Sequence, residues 1–412
     1  MAREAGPPGT TALDPAAPGR AVFLWFAAWA GVCVACIYLC QPLLHAIGAD
    51  LGLSDREASF IATSIQMGYG VGIFVLVPLG DFLPRRTLVL VKTALLALAT
   101  FACALSPTLG PLAAASFFVG VFATSAQDLV PVAADLAPAA QRGRYVGRVM
   151  SGLILGILLS RTLAGWVAGA FGWRAVFVVG TGAVAASLAT MLRFFPALSR
   201  GVARGSIASV YSSMAGLLRE HPALRVTVLR HGLMAFSFSA FWSNLAFYLS
   251  GPPHHWTPPQ IGLMGLAGAA GVLGSTIAGR LADERGPLFT IRIATLVASG
   301  AFLAMGALGS RPIALVAGTV LFDVAVQASL VSHQSLVYGL DPNARARLNG
   351  IFVSSLFLFF SLGSFLGAIV WSHWGWFALM GVAVVACALS FALSFVKGRG
   401  GAGAPSPAQP GR

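Results

Sequence analysis

Long apolar runs, separated by short polar or Pro- and Gly-rich breaks, make up most of this 412-residue chain. A membrane-spanning helix needs roughly 20 mainly apolar residues, because each residue adds about 1.5 Å along the helix axis. Cutting the chain at its breaks gives about twelve runs of that length, which predicts an all-α membrane protein with twelve transmembrane helices. The runs are 22–47, 58–79, 87–105, 111–134, 145–170, 174–195, 226–250, 261–282, 288–309, 312–337, 348–371 and 375–396.

The positively charged residues fall on alternate sides of these runs. Only 9% of the residues are charged, and 22 of the 26 Lys and Arg residues, Lys92 among them, lie in the tails or toward the ends of runs on one side. The other side receives Arg56, Arg174 and Arg311, and Arg161 lies within the fifth run. Loops that are translocated across a membrane are poor in Lys and Arg, so the richer side is cytoplasmic. Both termini are therefore predicted to lie in the cytoplasm.

Composition divides the chain into five parts. Residues 1–20 and 398–412 are rich in Pro, Gly and Ala, and we expect them to form disordered cytoplasmic tails. The longest interior polar stretch, 196–222, is predicted to be a cytoplasmic central loop. It separates an N-terminal six-helix bundle, residues 21–195, from a C-terminal six-helix bundle, residues 223–397. The first apolar run is too long for a signal peptide, so we expect it to be retained.

The two halves of the chain are related in sequence. Sliding the chain by 203 residues superposes Arg142 on Arg345 and lays the pair Gly172-Trp173 on Gly375-Trp376. A long repeat that carries both loop charges and helix glycines in register is difficult to obtain by chance. It predicts two pseudo-symmetric bundles that face each other across the membrane, with a path between them.

A short basic loop follows the second apolar run and recurs in the second half. It reads Val-Pro-Leu-Gly-Asp-Phe-Leu-Pro-Arg-Arg over 77–86, and its counterpart reads Gly-Arg-Leu-Ala-Asp-Glu-Arg-Gly over 279–286. Both loops resemble the Gly-x-x-x-Asp-Arg-x-Gly-Arg-Arg loop of the major facilitator superfamily (MFS). The span count, the central loop and the repeat resemble that superfamily over about residues 20–397. The resemblance implies the two-bundle MFS fold and a transporter.

Further segments resemble the bacterial drug/metabolite:proton antiporter type of efflux protein within this superfamily. They are Gln41-Pro42, the Arg-Gly-Arg of 142–144 and the Gly-Trp-Arg of 172–174. The fifth run also resembles the antiporter motif Gly-x-x-x-Gly-Pro-x-x-Gly-Gly, with Ser160-Arg161 at the position of Gly-Pro. A stripe of small residues equally lets two helices pack closely, so a packing role is the alternative. The stripe consists of Gly152, Gly156, Ser160 and Ala164.

The basic loop contains a candidate conformational latch formed by Asp81, Arg85 and Arg86, with Asp283 and Arg285 as its copy. A carboxylate at the start of a helix is stabilised by the helix dipole and by neighbouring arginines. Breaking such a cluster on one side of the membrane would release the two bundles to rock. The alternative is that the arginines only orient the chain and Asp81 tempers their charge.

Charged residues well inside apolar runs are Asp128 in the fourth, Arg161 in the fifth and Asp323 in the tenth. An Arg at the centre of a membrane costs at least about 2.5–3.5 kcal/mol. Counting the helix rise from the outer ends places Arg161 and Asp323 at one depth, so we predict that they pair. Asp128 has no cation at its depth, and we expect it to carry a coupling proton. A purely structural ion pair is the alternative for Arg161 and Asp323.

Polar and aromatic residues within five of the runs are candidates for lining a substrate cavity. The resemblance to the MFS implies that the first, fourth, seventh and tenth spans surround that cavity. Each of these side chains could equally form a hydrogen bond between helices. The candidates are Tyr38, Gln41, Gln66, Gln127, Trp242, Asn244 and Gln327.

The sequence lacks the motifs of several other function classes. It contains no Walker loop, no His-Glu-x-x-His and no nucleophile elbow, so we expect neither ATP hydrolysis nor another enzymatic activity. The five cysteines lie within apolar runs, where they pack as small apolar side chains, and no metal or other cofactor is expected. The cations flank the spans, where they meet lipid head groups rather than nucleic acid.

These features predict a secondary active transporter that works by alternating access in the inner membrane of a bacterium. Few fixed charges and many apolar and aromatic residues favour proton-coupled efflux of small amphipathic organic solutes or metabolites. We expect a monomer in the lipid bilayer whose partners are the solute and protons. The alternatives are proton-coupled import of a metabolite and a non-transporting membrane sensor of the same fold.

Overall fold

The computed structural model describes residues 20–138, 141–196, 206–268, 271–341 and 344–396. These residues form helices joined by short turns, and no β-strand occurs among them. The prediction of an all-α protein is confirmed. Apart from Arg20, the two predicted tails lie outside the described residues.

The first half of the chain begins with an interrupted helix. Pro42 has no backbone N–H to donate, and the chain follows a 3-10 turn over Gln41–Leu43 between the first two helices. The helices of this half are α1 (Arg20–Ala35), α2 (Leu44–Leu51), α3 (Asp55–Leu76), α4 (Arg85–Leu105), α5 (Leu109–Ala123), α6 (Ser125–Leu136), α7 (Arg142–Phe171) and α8 (Trp173–Phe194).

The second half has a similar order of long helices, several of which begin with proline. Proline suits the first turn of a helix, because the N–H that it lacks has no partner there. A linking helix, α9 (Ile207–Glu220), precedes this half. Its helices are α10 (Pro222–Ser250), α11 (Pro258–Gly268), α12 (Gly271–Arg285), α13 (Pro287–Leu308), α14 (Pro312–Tyr338) and α15 (Arg345–Leu393).

Eight helical segments of the described chain are long and apolar enough to cross a membrane, by length and composition. Large apolar side chains lie on the outer surface, including Leu98, Leu163 and Ile313, which are 65%, 58% and 78% exposed. Lipid tails are as apolar as leucine, so such a surface suits a bilayer. These are the features of a multi-pass membrane protein. The count of twelve spans and the cytoplasmic position of the termini stay predictions.

Successive long helices run in opposite directions, so the molecule has two distinguishable ends. At one end α4, α7 and α15 begin with Arg85, Arg142 and Arg345, and we call it the basic end. α3 and α8 begin at the other end, with Asp55 and Trp173, and we call it the opposite end.

The internal repeat has a counterpart in the backbone. Gly172, between α7 and α8, has φ +81°, and Gly375, which interrupts α15, has φ +72°. Residues with a Cβ atom rarely adopt such φ angles, which explains why glycine occupies both positions. In each half the glycine precedes a buried tryptophan, Trp173 or Trp376. The offset of 203 residues therefore relates two chain reversals of the same geometry.

Small residues bring α1 and α7 into backbone contact. A Cβ atom built on Gly31 would lie 2.6 Å from the carbonyl oxygen of Gly152, and one built on Gly156 would overlap the backbone of Gly31. Gly152 likewise faces the backbone of Ala27. At these positions the small-residue stripe of α7 is a helix-packing seam, which is the alternative offered by the sequence.

Two seams join the halves. α3 meets α15, where Thr63 Oγ1 donates a hydrogen bond to Ser364 Oγ at 2.9 Å. α7 meets α11, where Thr162 Oγ1 donates to the carbonyl oxygen of Gly262 at 3.0 Å. A Cβ on Gly262 would lie 2.8 Å from the Arg161 carbonyl oxygen, so these two helices also touch through their backbones. The residues between the seams form the interior of the molecule.

The predicted central loop 196–222 contains a helix, α9. Its buried residues Met214 and Leu217 lie on one face, as expected of an amphipathic helix that covers an apolar surface. Tyr211 Oη donates to the carbonyl oxygen of Val75 at 3.0 Å, and Arg347 donates to Ser213. α9 thus contacts both halves at the basic end. The predicted central loop thus contains the helix Ile207–Glu220, whose polar residues alternate with apolar ones at helical spacing. Its position in the cytoplasm stays a prediction.

Candidate functional site

The interruption between α1 and α2 places a polar side chain inside the molecule. Gln41 begins the 3-10 turn and is 3% exposed. Its Oε1 accepts a hydrogen bond of 2.7 Å from Nε of Arg161 on α7. Interrupted helices expose backbone and polar groups at membrane depth, where transporters commonly bind their solutes.

Arg161 is buried among aromatic rings. The side chain is 4% exposed, and its Cζ atom lies 4.2 Å from the ring centroid of Trp242 and 4.8 Å from that of Tyr38. The guanidinium is thus held by two cation–π contacts in addition to the hydrogen bond to Gln41. Its Nη2 atom has no hydrogen-bond partner among the described residues. One charge-bearing donor of the arginine therefore remains available.

Asp323 on α14 contacts the same indole at its N–H edge. Trp242 Nε1 donates to Asp323 Oδ1 at 3.3 Å, and the carboxylate is 6% exposed. Its Oδ2 has no partner in the described chain. Arg161 and Asp323 therefore both contact Trp242, Arg161 over the ring face and Asp323 at the indole N–H. The predicted direct pair is wrong, because no described carboxylate comes within 4.0 Å of Arg161.

Glycines of α11 form the wall next to these charges. A Cβ built on Gly265 would lie 2.9 Å from Cβ of Arg161, and one built on Gly268 would lie 2.7 Å from Oδ2 of Asp323. Both glycines therefore leave the charged side chains just enough room. We call Tyr38, Gln41, Arg161, Trp242 and Asp323 the central site. It contains residues from both halves of the chain.

A second buried charge pair lies wholly within the first half. Lys92 Nζ on α4 is 2.5 Å from Asp128 Oδ2 on α6, and the side chains are 2% and 6% exposed. The prediction that Asp128 has no cation at its depth is wrong, because Lys92, counted among the cations of the cytoplasmic side, pairs with it. α4 begins at Arg85, so Lys92 lies about two turns inside the helix, on its buried face.

The other predicted cavity residues mostly join helices. Ser239 Oγ on α10 donates to Gln66 Oε1 at 2.9 Å, and Gln127 Nε2 donates to Tyr69 Oη at 3.0 Å. Gln66 thus contacts the second half, whereas Gln127 bonds within the first. Asn244 donates to the carbonyl oxygen of Ala240, and its own Oδ1 is buried without a partner among the described residues. Gln327 is half-buried, one turn from Asp323.

The first basic loop carries an ion pair at the basic end. Arg85 Nη1 lies 2.5 Å from Asp135 Oδ2 of α6, and its Nε donates to the carbonyl oxygen of Gly80. Arg86 Nη2 donates to the carbonyl oxygen of Leu192 on α8. The side chain of Asp81 lies outside the described part of the structure. Sequence reasoning missed Asp135 as a partner of Arg85, because it lies 50 residues further along the chain.

The copy of this loop in the second half is more open. Asp283 and Arg285 are exposed, and neither forms an ion pair with any residue that the structure describes. The guanidinium of Arg285 lies 5.1 Å from the ring of Phe289. The repeat therefore preserves the sequence of the loop better than its contacts.

A cavity of about 180 Å³ lies at the basic end between the halves. Asp128 and Arg85 of the first half and Arg347 of the second face it, and Met214 of α9 covers it. The Lys92–Asp128 pair thus borders a space that could admit water or a solute.

Ion pairs and hydrogen bonds also occur at the opposite end. Asp55 at the start of α3 accepts a hydrogen bond of 2.9 Å from Nε1 of Trp371 on α15, which ties the two halves together. Asp50, beyond the end of the first apolar run, accepts from Arg174 and Trp173 at 2.5 and 3.0 Å. These bonds, the Arg174 guanidinium first, hold the pKa of Asp50 below its usual value.

Two halves of long antiparallel helices, packed around buried charges at their junction, define a membrane transporter. Comparison with known families gives the same result. The chain belongs to the Major Facilitator Superfamily, whose family model matches residues 26–322 and 231–411. The family expected from the basic loops is therefore confirmed.

Individual relatives agree with this assignment. The chain is 35% identical to the uncharacterized transporter YgaY of Escherichia coli O157:H7 over 84% of this chain and 88% of that protein. It is 33% identical to the probable transporter SCO4007 of Streptomyces coelicolor over 85% of this chain and 82% of that protein. A solved structure of a bacterial homologue of the human lysosomal transporter Spinster, inward-facing and occupied, has the same fold. The TM-score is 0.73 at 15% sequence identity, and the match covers 91% of this chain and 96% of that chain.

Proposed function

We propose that this protein is a secondary active transporter that exports small amphipathic organic solutes or metabolites in exchange for protons by alternating access. The observation that carries the proposal is the central site, where Arg161 of the first half and Asp323 of the second are buried and both contact Trp242. Buried charges at membrane depth are costly and mark solute or ion pathways. We place the protein as a monomer of twelve spans in a bacterial inner membrane, with both termini in the cytoplasm.

Alternating access requires the halves to rock about the interior while the contacts at each end form and break. At the basic end, α9 bridges the halves, and the Arg85–Asp135 pair lies beside the loop that contains Asp81. At the opposite end, the Trp371–Asp55 hydrogen bond ties α15 to α3. We propose that Asp81, Arg85 and Arg86 form a latch for one orientation. Asp283 and Arg285 serve as its weaker copy.

Proton coupling needs a group that changes its charge during the cycle. Asp128 and Asp323 are the buried carboxylates among the side chains that the structure describes. Asp128 is paired with Lys92, whereas one oxygen of Asp323 has no donor. A carboxylate oxygen buried without a donor is costly as an anion. We therefore propose Asp323 as the coupling carboxylate, with the Lys92–Asp128 pair as a second candidate beside the basic-end cavity.

Vesicle assays test this function. The full-length protein is reconstituted into proteoliposomes that contain a pH-sensitive dye, a pH gradient is imposed, and a panel of organic solutes is added. We expect solute movement opposite to proton movement, and its loss in an Asp128→Asn/Asp323→Asn double variant. Movement of solute and proton in the same direction would support the importer instead. Gradient-driven transport that survives in the double variant would exclude both carboxylates as coupling groups.

A further inference from the structure

We propose that the central site binds a small zwitterion of the α-amino-acid class, with a carboxylate held by Arg161, a protonated amine held by Asp323, and an apolar side chain. This inference rests on the proposed transport function and specifies its solute. It derives from the two charges of the site and from the atoms that they leave without partners.

The guanidinium of Arg161 presents an edge rather than a face. Trp242 and Tyr38 contact it at 4.2 and 4.8 Å from their ring centroids, and Gln41 accepts from Nε at 2.7 Å. The donor without a partner in the described chain, Nη2, lies in the plane of the guanidinium. In-plane donors of arginine match the geometry of a carboxylate. Arg161 is therefore held in position and retains a donor for an anionic group.

Asp323 complements this arrangement. Oδ1 is occupied by the indole N–H of Trp242 at 3.3 Å, whereas Oδ2 has no partner among the described residues. No ion pair within 4.0 Å joins this carboxylate to Arg161, so the two charges do not neutralise each other through direct contact. A protonated amine would give Oδ2 a charge-assisted hydrogen bond. The site thus presents one cationic and one anionic position within a single enclosure.

Charge balance selects against simpler solutes. A purely anionic solute would pair with Arg161 and leave Asp323 buried without a counter-charge, and a purely cationic solute would do the reverse. A neutral solute would supply a counter-charge to neither group. A buried charge without a partner is costly, so each of these solutes forgoes part of the available binding energy. A zwitterion satisfies both groups and adds no net charge to the membrane interior.

The spacing requires that the two charges of the solute be close together. Arg161 Cζ lies 4.2 Å from the Trp242 ring centroid, and Trp242 Nε1 lies 3.3 Å from Asp323 Oδ1, so both charged groups contact one indole. Charge-assisted hydrogen bonds span roughly 2.8 Å each, which leaves only a few bonds between the two groups of the solute. In an α-amino acid both groups are attached to one carbon. Gly265 and Gly268 on α11 restrict the site to a small molecule.

An aromatic surface adjoins the charged groups. Phe238 lies 6.3 Å from Trp242 and 5.3 Å from Phe360 between ring centroids, and both phenylalanines are half-buried. Half-buried rings next to a polar site provide a surface for an apolar side chain. The solute is therefore expected to be an amino acid such as leucine rather than a fully polar one.

Binding to the purified full-length protein in detergent tests the inference. The probes are L-leucine, isocaproate, which lacks the amine, and isopentylamine, which lacks the carboxylate. We expect L-leucine to bind about 10- to 100-fold more tightly than either analogue, since each analogue loses one charged hydrogen bond. Calorimetry or thermal stabilisation measures the binding. Equal binding of the three probes, or binding of none of them, would overturn the inference.

Two variants assign the charges. Arg161→Gln should abolish the preference for L-leucine over isopentylamine, and Asp323→Asn should abolish its preference over isocaproate. Arg292→Gln is the control, because Arg292 bonds to Ser394 and contacts Phe395 outside the central site. An unchanged preference in both folded variants would contradict the assignment. If a variant does not fold, the comparison of the three probes on the unaltered protein still tests whether the site prefers a zwitterion.

A parallel flux measurement separates this inference from the proposed function. In proteoliposomes with a pH gradient, binding of L-leucine without any solute movement would refute transport and leave the zwitterion site standing. Gradient-driven movement of an uncharged or singly charged solute, with no binding or movement of L-leucine, would refute the zwitterion site and leave transport standing.

Discussion

Lys92 and Asp128 form an ion pair inside the first half of the protein, with Nζ and Oδ2 2.5 Å apart and both side chains buried. Each charge stabilises the other at a position where a single charge would be costly. The pair also borders the basic-end cavity through Asp128. The stability of the protein should therefore depend on keeping both charges or removing both.

Replacing one member of the pair should harm the protein more than replacing both. We expect Lys92→Met or Asp128→Leu alone to lower the free energy of unfolding by about 3–5 kcal/mol, because an unpaired buried charge remains. The double variant should recover most of this loss. Thermal denaturation in detergent measures all three, with the exposed Arg219→Gln as the control. Losses that add in the double variant would show that the two residues are independent.

Gly265→Ala should impair transport although it introduces a better helix former. In a helix interior, alanine is normally more stabilising than glycine by roughly 0.5–1 kcal/mol. Here the new Cβ would lie 2.9 Å from Cβ of Arg161 and would displace the guanidinium from Gln41 and Trp242. We expect at least about a tenfold loss of gradient-driven flux, equivalent to a shift of roughly 1.4 kcal/mol.

The matched control for this substitution is Gly300→Ala on α13. No atom outside its own helix lies within 4 Å of a Cβ built there, so this variant should keep its flux and gain slightly in thermal stability. Equal flux in the two variants would mean that the position of Arg161 does not limit transport.

Asp135→Asn should loosen the basic end without unfolding the protein. The carboxylate is 65% exposed and Arg85 is 30% exposed, so the ion pair contributes at most about 1 kcal/mol to stability. Its proposed role is conformational, and we expect faster maleimide labelling of a Met214→Cys reporter in the basic-end cavity. Asp81→Asn, in the same loop, should act in the same direction and reduce flux.

The control for the labelling experiment is Arg219→Gln combined with the same reporter, because Arg219 is an exposed residue of α9. Its labelling rate should equal that of the reporter alone. If Asp135→Asn and Asp81→Asn also leave the rate and the flux unchanged, the arginines of this loop only orient the chain.

The Asp50 carboxylate should make a pH-dependent contribution to the stability of the folded protein. Arg174, and to a lesser extent Trp173, lower its pKa in the folded protein, whereas in the unfolded chain it titrates near its usual value of about 3.9. The contribution is therefore complete above the unfolded pKa and is lost as the pH falls through the folded pKa. Asp50→Asn should lower the melting temperature slightly at neutral pH, and the difference should vanish in acid.

Glu220→Gln removes one exposed negative charge elsewhere and serves as the control for Asp50→Asn. It should not reproduce the pH-dependent difference in melting temperature. A difference for Asp50→Asn that persists unchanged in acid would mean that packing, not charge, explains the loss.

The long helices could be predicted from sequence because their signal is repeated at every turn. The predicted run 312–337 and the helix Pro312–Tyr338 differ by one residue at one end. The amphipathic helix Ile207–Glu220 was not predicted because it is too short to span a membrane and its apolar residues are interspersed with polar ones. The correspondence between Gly172 and Gly375 in the two halves was predictable from the sequence repeat, because only glycine adopts those backbone angles readily.

The site was only partly predictable. Counting helix rise placed Arg161 near Asp323, since depth in a membrane is nearly one-dimensional. It could not show that both contact Trp242 without forming a direct ion pair, because rotation about a helix axis is set by packing against other helices. Lys92 was misplaced for a related reason. A single cation near the end of an apolar run looks like a loop residue until the helix that contains it is known to begin at Arg85.

Arg161 belongs to the first half and Asp323 to the second, so any rocking of the halves moves a positive and a negative group relative to each other. In a medium of low dielectric constant, the energy of that movement depends on what lies between them. Under the proposed mechanism, the same two side chains set both the affinity for solute and the ease with which the unloaded carrier reorients. The affinity for solute and the rate of reorientation without solute are then linked in this protein. A change that weakens the attraction between Arg161 and Asp323 should lower solute binding and increase uncoupled cycling.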